Sequence, residues 1–180
     1  MIILCGASAS GKSEICKSLC FNFGYVKFVT TTTRSKRVGE VNGVDYNFIS
    51  IEEFENKIKN NEFIEYVKYN NNYYGTEKKS IGDNVVLIIE PNGLRKFMQL
   101  NNPHIISFFL ICDEKVRRQR MINRLDKKAD IEARIKNDRV NFLILKDTKL
   151  DFLINTSDDS TLAYAQNINQ LYQNKLNSLK

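Results

Sequence analysis

Apolar residues along this chain gather into short, nearly unbroken runs separated by stretches with helical periodicity. Ile2–Cys5, Val85–Ile89 and Ile105–Cys112 are such runs. Apolar runs of that length, with no polar alternation, mark strands buried on both faces of a parallel sheet. Phe152–Ile154 reads as a fourth, shorter strand. Between them, Ser13–Asn22 places Ile15, Cys16, Leu19 and Cys20 on one helix face. Leu94–Leu100, Glu114–Arg124 and Thr161–Leu176 are the other helical stretches. Strands alternating with helices predict an α/β fold around a parallel sheet.

Two segments break this rhythm. Thr30–Ser80 is rich in Thr, Asn, Gly and Tyr, with strand-like runs at Asp45–Ile49 and Phe63–Tyr69 on either side of a helical stretch, Ile51–Lys59. It reads as a small mixed subdomain inserted into the sheet. Asp113–Arg139 is crowded with Arg and Lys and, taken alone, reads as a pair of solvated basic helices.

Composition narrows the class. A chain of 180 residues, 42% hydrophobic and 27% charged, fits one globular domain with a real core. A disordered polar chain, a collagen-like fibre and a disulfide-dense miniprotein are excluded. No stretch has the length of a membrane span, and the apolar start lacks the charged flank of a signal peptide. The 27 Lys and Arg outnumber the 21 Asp and Glu, for a net charge of +6, which suits phosphate-bearing partners. Four cysteines lack the partners of a zinc site; they read as small buried hydrophobes in a reducing, cytoplasmic setting. The single histidine, His104, reads as structural or exposed.

The sharpest motif follows the first strand. Gly6-Ala7-Ser8-Ala9-Ser10-Gly11-Lys12-Ser13 matches G-x-x-x-x-G-K-[ST]. A loop this short wraps a phosphate with backbone N–H groups only if its ends tolerate unusual φ/ψ, hence the glycines. Lys12 then reaches the β- and γ-phosphates, Ser13 can ligate Mg²⁺, and the Ser13–Asn22 helix, with Glu14 in its first turn, points its N-terminus at the anion. The expected ligand is a nucleoside triphosphate, with Mg²⁺.

Thr32–Phe48 adds a second phosphate-directed set. Arg34 and Arg37 offer forked donors suited to a phosphate dianion, with Tyr46 nearby. This segment matches T-T-R-x-x-R-x-G-E-x-x-G-x-D-Y-x-F throughout and resembles the guanylate kinase family. Phe63-Ile64-Glu65 and Tyr73-Tyr74-Gly75-Thr76 resemble a second block of that family, and Arg120, Arg124 and Arg134 its lid pattern.

The resemblance implies a single domain with the three-layer α/β/α fold of P-loop kinases. Its core would occupy about 1–29, 81–112 and 140–180, a small mixed GMP-binding insert about 30–80, and a helical lid about 113–139. It implies transfer of the ATP γ-phosphate to GMP or dGMP. Arg34, Arg37, Tyr46 and Tyr74 would hold the GMP phosphate. Glu65, Thr76 and Thr30 would read guanine, and Glu90 would act around GMP and the metal. Lys12, Arg37, Arg120, Arg124 and Arg134 would form the catalytic set, and Asn155 would meet adenine. The base chemistry agrees. Guanine presents N1–H beside an exocyclic NH₂, and a carboxylate accepts both. Adenine presents an acceptor at N1 and would leave Glu65 unpaired, at a cost of about several kcal/mol.

The chain departs from the family pattern in places. Ala7 and Ala9 stand where proline and glycine are usual, Lys36 where proline is, and Ile88-Ile89-Glu90 where the family has D-x-D. Three rival readings remain open to the sequence. They are a kinase for another nucleoside monophosphate or small metabolite, a guanylate-kinase-like module that binds protein and has weak activity, and a nucleic-acid-binding module. The last lacks any recognition helix, RNA-binding aromatic motif or zinc finger. The partners expected are the nucleotides alone, with neither nucleic acid nor membrane, on a monomer or homodimer.

Overall fold

A computed structural model of the chain describes residues 1–36, 39–69, 71–78, 82–158 and 160–179. In chain order the elements begin β1 (Ile2–Gly6), α1 (Lys12–Phe23), β2 (Val26–Lys27), β3 (Thr31–Thr32), β4 (Asn47–Phe48), α2 (Ile51–Lys59), β5 (Phe63–Tyr69) and β6 (Asn72–Glu77). They continue with β7 (Val85–Ile88), α3 (Pro91–Met98), β8 (Ile106–Ile111), α4 (Glu114–Asn123), α5 (Lys128–Asn141), a 3₁₀ turn (Phe142–Leu145), β9 (Phe152–Asn155) and α6 (Thr161–Asn177). The contacts divide them into two units, Met1–Lys27 with Ile81–Lys180, and Phe28–Ser80.

The larger unit is built on a five-stranded, wholly parallel sheet in the order β2-β7-β1-β8-β9. β1 lies between the strands that follow it on either side, so the strand order reverses there. In such sheets the carboxyl end of the strand at the reversal is the ligand-binding edge. β1 is buried along its whole length. Its alternate residues face opposite ways. Ile2 and Leu4 join Ile15 and Leu19 of α1 and Tyr164, Ile168 and Tyr172 of α6 in one core layer. On the other face lie Ile3 and Leu87, with α3 packed against β1 and contributing the fully buried Leu94 and Phe97. This is a central parallel sheet between helical layers, the α/β fold the apolar runs predict.

The boundaries shift for local reasons. The α3 helix begins at Pro91 rather than Leu94, because proline's fixed φ suits the first helical position. The edge strand β2 is two residues with one exposed side chain, too short to leave a pattern. The strand expected at Asp45–Ile49 shrinks to Asn47–Phe48. Val41–Asp45 is a tight turn instead, with the Val44 and Asp45 amides donating to the Val41 carbonyl and the Val41 amide donating to Asp45 Oδ2.

The smaller unit is a four-stranded mixed sheet, β4-β3-β6-β5, with α2 against one face. A capping box starts α2: Ser50 Oγ accepts the Glu53 amide and Glu53 accepts the Ser50 amide. Phe54 of α2 stacks on Phe63 (4.3 Å between centroids) and on Tyr73 (5.0 Å). Gly75 lies beneath this stack, where an added Cβ would come within 2.8 Å of Phe54 and Phe63.

A similar squeeze fixes the end of β1. A Cβ on Gly6 would sit 2.7 Å from the Leu110 carbonyl oxygen and 2.8 Å from Ser10 Oγ. Gly6→Ala is therefore expected to cost about 1–3 kcal/mol, as overpacking does. The measurement is urea unfolding, read as a lower midpoint at unchanged slope.

Candidate active site

The loop from Gly6 to Gly11 joins β1 to α1 and is folded by its own backbone. The Ser10 amide donates to the Ala7 carbonyl (3.1 Å). Ala9 (φ 61°) and Gly11 (φ 97°) both lie in the left-handed region. Gly11 meets no steric penalty there, whereas Ala9 does. Beyond it α1 begins at Lys12, and the amides of its first turn have no intrahelical acceptor, so Lys12, Ser13 and Glu14 present N–H groups at the positive end of the helix dipole. The Lys12 ammonium donates to the Gly6 carbonyl and to that of Ala7 (3.1 Å), lying across the loop. Ser13 and Glu14 are exposed, whereas Ser10 is buried and its Oγ has no partner among the described residues.

Behind the loop runs a polar support of which sequence reasoning found only Arg120. Thr156, fully buried just past β9, donates its hydroxyl to the Ser10 carbonyl (2.9 Å) and lies 3.1 Å from that of Ile111. Its own carbonyl accepts from Arg120 (2.8 Å), which also donates to the Ala9 carbonyl (3.3 Å). Arg117 and Asp138 meet Ser8 in the same region. A cleft of about 310 Å³ opens beside the loop, lined by Ser10, Gly11 and Glu14, by Arg120 and Arg124, and by Tyr164.

Of the other residues singled out in this unit, Asn155 is exposed, accepts the Ser157 amide and does not line the cleft. Arg134, on α5, pairs with Asp126 (3.0 Å) and is also absent from the cleft. Glu90 is exposed at the N-cap of α3. Buried Cys5 has its thiol pushed up to about 12, chiefly by burial; Lys12 pulls it down and Glu90 pushes it up, so it stays protonated at neutral pH. His104 is exposed, 3.0 Å from Asp83.

In the smaller unit the sheet separates packing from chemistry. Along β6, Tyr73 and Gly75 face α2, so Tyr74 and Thr76 face the other way. On that side Tyr46 meets Tyr74 edge-on (6.3 Å), and the Arg34 guanidinium lies over Tyr46 and Phe48 (5.5 Å each). Arg34 Nη2 donates to both carboxylate oxygens of Glu40 (2.7 and 3.0 Å) and Nη1 to the Ser35 carbonyl (2.7 Å), and the hydrogen bonding to Glu40 raises its already high pKa. Thr76 donates to Glu65 (2.6 Å) across the strands. Strict alternation from Phe63, which packs on α2, would place Glu65 on the α2 side as well. The register slips between them: Phe63 pairs with Glu77 but Glu65 with Thr76. Ile64 is the extra residue of a β-bulge, and the bulge turns Glu65 onto the Tyr74–Thr76 face. Thr30 precedes β3, its carbonyl accepting the Asn47 amide (2.8 Å). Arg37 lies outside the described residues.

Comparison with known proteins identifies the family. The family model described as guanylate kinase matches residues 1–171. The chain belongs to the guanylate kinase family. A guanylate kinase of Fusobacterium nucleatum subsp. nucleatum is 36% identical over 148 residues, covering 76% of this chain and 78% of its own. One from Clostridioides difficile is 34% identical over 171 residues, covering 91% and 82%. Among solved structures, a guanylate kinase from Anaplasma phagocytophilum superposes with a TM-score of 0.72 at 26% identity, over 97% of this chain and 85% of that one.

The support behind the loop can be tested without nucleotide. Thr156→Val keeps the side-chain shape but removes the hydroxyl that reaches the Ser10 and Ile111 carbonyls. It is expected to cost about 1–2 kcal/mol, measured as the change in unfolding free energy in urea.

Proposed function

We infer that this member of the guanylate kinase family transfers the γ-phosphoryl group of ATP to GMP, giving ADP and GDP. The observation that carries the reading is the face shared by Glu65, Thr76, Tyr74, Tyr46 and Arg34 in the smaller unit. A carboxylate that accepts paired N–H groups stands on the same face as an arginine–tyrosine set suited to a phosphate monoester. Glu65 and Thr76, with Thr30, read the guanine; Arg34, Arg37, Tyr46 and Tyr74 hold its phosphate. Glu90, in the larger unit, also acts on GMP.

The larger unit takes ATP. Residues Gly6 to Glu14 form the cradle, which grips the phosphates through the amides from Gly11 to Glu14 and through Lys12; the cleft beside Arg124 and Tyr164 receives the rest of the nucleotide, and Asn155 serves adenine. Phosphoryl transfer asks little covalent work of the protein; it asks for alignment and charge stabilisation. Two like charges 4 Å apart repel by about 4 kcal/mol at an effective dielectric of 20. Lys12, Arg37, Arg120, Arg124 and Arg134 offset that repulsion, and the α4–α5 segment closes over ATP and excludes water.

The donor set suits Mg²⁺ as a companion of the nucleotide. Among the described residues no group of three or more His, Cys, Asp or Glu is gathered for a metal. The exposed Ser13 hydroxyl at the helix start is one oxygen donor. Mg²⁺ is commonly held by few protein oxygens together with substrate phosphates and water. Ser13 would hold it, and the bound ion would neutralise charge on the phosphate oxygens. The four cysteines are free, which suits a reducing, cytoplasmic setting.

A turnover screen over GMP, dGMP, AMP, CMP and UMP is the direct test, with GMP expected to exceed AMP by at least about a hundredfold; equal rates with AMP would sink the reading. Lys12→Ala should lower turnover by roughly a hundredfold or more with the circular dichroism spectrum and melting temperature retained. Glu65→Gln puts a donor against guanine's own donors. It should raise the KM for GMP by about a hundredfold and leave that for ATP within about twofold; a matched rise in both would refute base reading by Glu65.

A further inference from the structure

We propose that Asp138 and Arg117 form a strut that holds the phosphate loop in its nucleotide-gripping shape, which makes Asp138 a positioning residue for ATP. The proposal rests on the reading of Gly6–Glu14 as the ATP cradle and adds a part that the G-x-x-x-x-G-K-[ST] pattern does not contain.

Every polar group of Ser8 is bonded to this pair. Asp138, on α5, accepts the Ser8 amide through Oδ2 (3.0 Å) and the Ser8 hydroxyl through Oδ1 (3.1 Å). Arg117, on α4, donates to the Ser8 carbonyl (3.3 Å) and to Asp138 Oδ2 (2.9 Å). Its Nε donates to the Cys112 carbonyl (3.3 Å), tying the strut to the end of β8. The pair is withdrawn from water, with side chains 8% and 13% exposed. A buried charge that lacks its partner is strongly unfavourable, so the two ions hold one another in place.

The strut acts where the loop needs it. The residue after Ser8 is Ala9, whose φ of 61° is a conformation that L side chains disfavour. Nothing in the intrinsic preference of alanine keeps it there. What keeps it there is fixation on both sides and packing. Ser8 is clamped by the ion pair, and the Ala9 carbonyl accepts from Arg120 (3.3 Å). The Ala9 methyl packs on the Met121–Ile131–Ile135 cluster of α4 and α5. The carboxylate takes the Ser8 amide and leaves the phosphate the amides from Gly11 to Glu14. Arg117 cancels its charge, so the strut does not repel the polyphosphate. Loop, α4 and α5 are thus one polar and apolar assembly.

The test uses the full chain and equilibrium binding. The double variant Arg117→Leu with Asp138→Ala removes both charges and leaves neither ion orphaned. Mg·ATP affinity by calorimetry is expected to fall about tenfold or more while GMP affinity stays within about twofold. Adding Ala9→Gly to that background, which removes the backbone penalty, is expected to return most of the lost ATP affinity. Unchanged ATP affinity, an equal loss for ATP and GMP, or no recovery on adding Ala9→Gly would each overturn the strut. If the double variant does not fold, Asp138→Asn decides: its amide nitrogen cannot accept from Ser8, so ATP affinity should fall about threefold, and no fall overturns the proposal. ATP binding is read without turnover, so the outcome is independent of whether GMP is the phosphoryl acceptor.

Discussion

To grip a polyanion a loop must keep several backbone amides pointing inward, a shape that an unsupported turn would abandon. In this molecule that constraint begins at Gly6, where β1 runs so close to β8 that a single methyl would meet the Leu110 carbonyl at 2.7 Å. The close approach sets the direction in which the chain leaves the sheet. From there two residues in the left-handed region, Ala9 and Gly11, bring the chain round to the start of α1. The helix then offers its first-turn amides at a terminus carrying roughly half a positive charge. Thr156 and Arg120 support the loop from behind by occupying the carbonyls of Ser10 and Ala9. Groups that would otherwise turn negative oxygens toward the ligand are used to hold the loop.

The smaller unit meets a different constraint, since one thin sheet must both pack on a helix and present chemistry. Period-two alternation does this along β6, sending Tyr73 and Gly75 to α2 and Tyr74 and Thr76 away from it. It fails along β5, where Phe63 and Glu65 have the same parity but opposite tasks. The extra residue Ile64 resolves the conflict by inserting one step between them. The bulge therefore decides which face Glu65 joins. Without it, either the Phe54–Phe63 stack or the Glu65–Thr76 hydrogen bond would be lost.

These two cases show why some of the molecule was legible in the sequence and some was not. The buried strands β1, β7 and β8 announced themselves because a parallel sheet covered on both faces needs uninterrupted apolar runs. The loop announced itself because its glycines and lysine serve a geometry with few solutions. The helix Ile51–Lys59 keeps the bounds expected of it, and a capping box starts it. Strands β2 and β3 have two residues each and no period to read. The α5 helix was expected only as one of a basic pair, and its bounds were hidden by its charge, since only Ile131 and Ile135 are buried along it. Among the site residues, Lys12, Arg34, Glu65 and Arg120 belong to recognisable patterns. Thr156, Arg117 and Asp138 touch the loop from distant parts of the chain, and no local pattern marks a residue whose partner lies more than a hundred positions away.

The cations of the two units are managed in different ways, and the difference follows from what each must do. Lys12 and Arg120 rest mainly on backbone carbonyls, which fix their direction but cancel none of their charge. A terminal polyphosphate gathers more negative charge than any other group in the reaction, so cations held by dipoles keep their full attraction for it. Arg34 is instead held by the Glu40 carboxylate through Nη2 and by the Ser35 carbonyl through Nη1, in an ion pair whose side chains are only 14% and 19% exposed, and is flanked by two aromatic rings. There the charge is balanced and the plane of the guanidinium is fixed. A planar, oriented fork favours one geometry of phosphate over another more than it favours tight binding. The larger unit thus leaves the charge of Lys12 and Arg120 uncancelled by the groups that orient them, whereas the smaller unit balances the charge of Arg34 and fixes its direction.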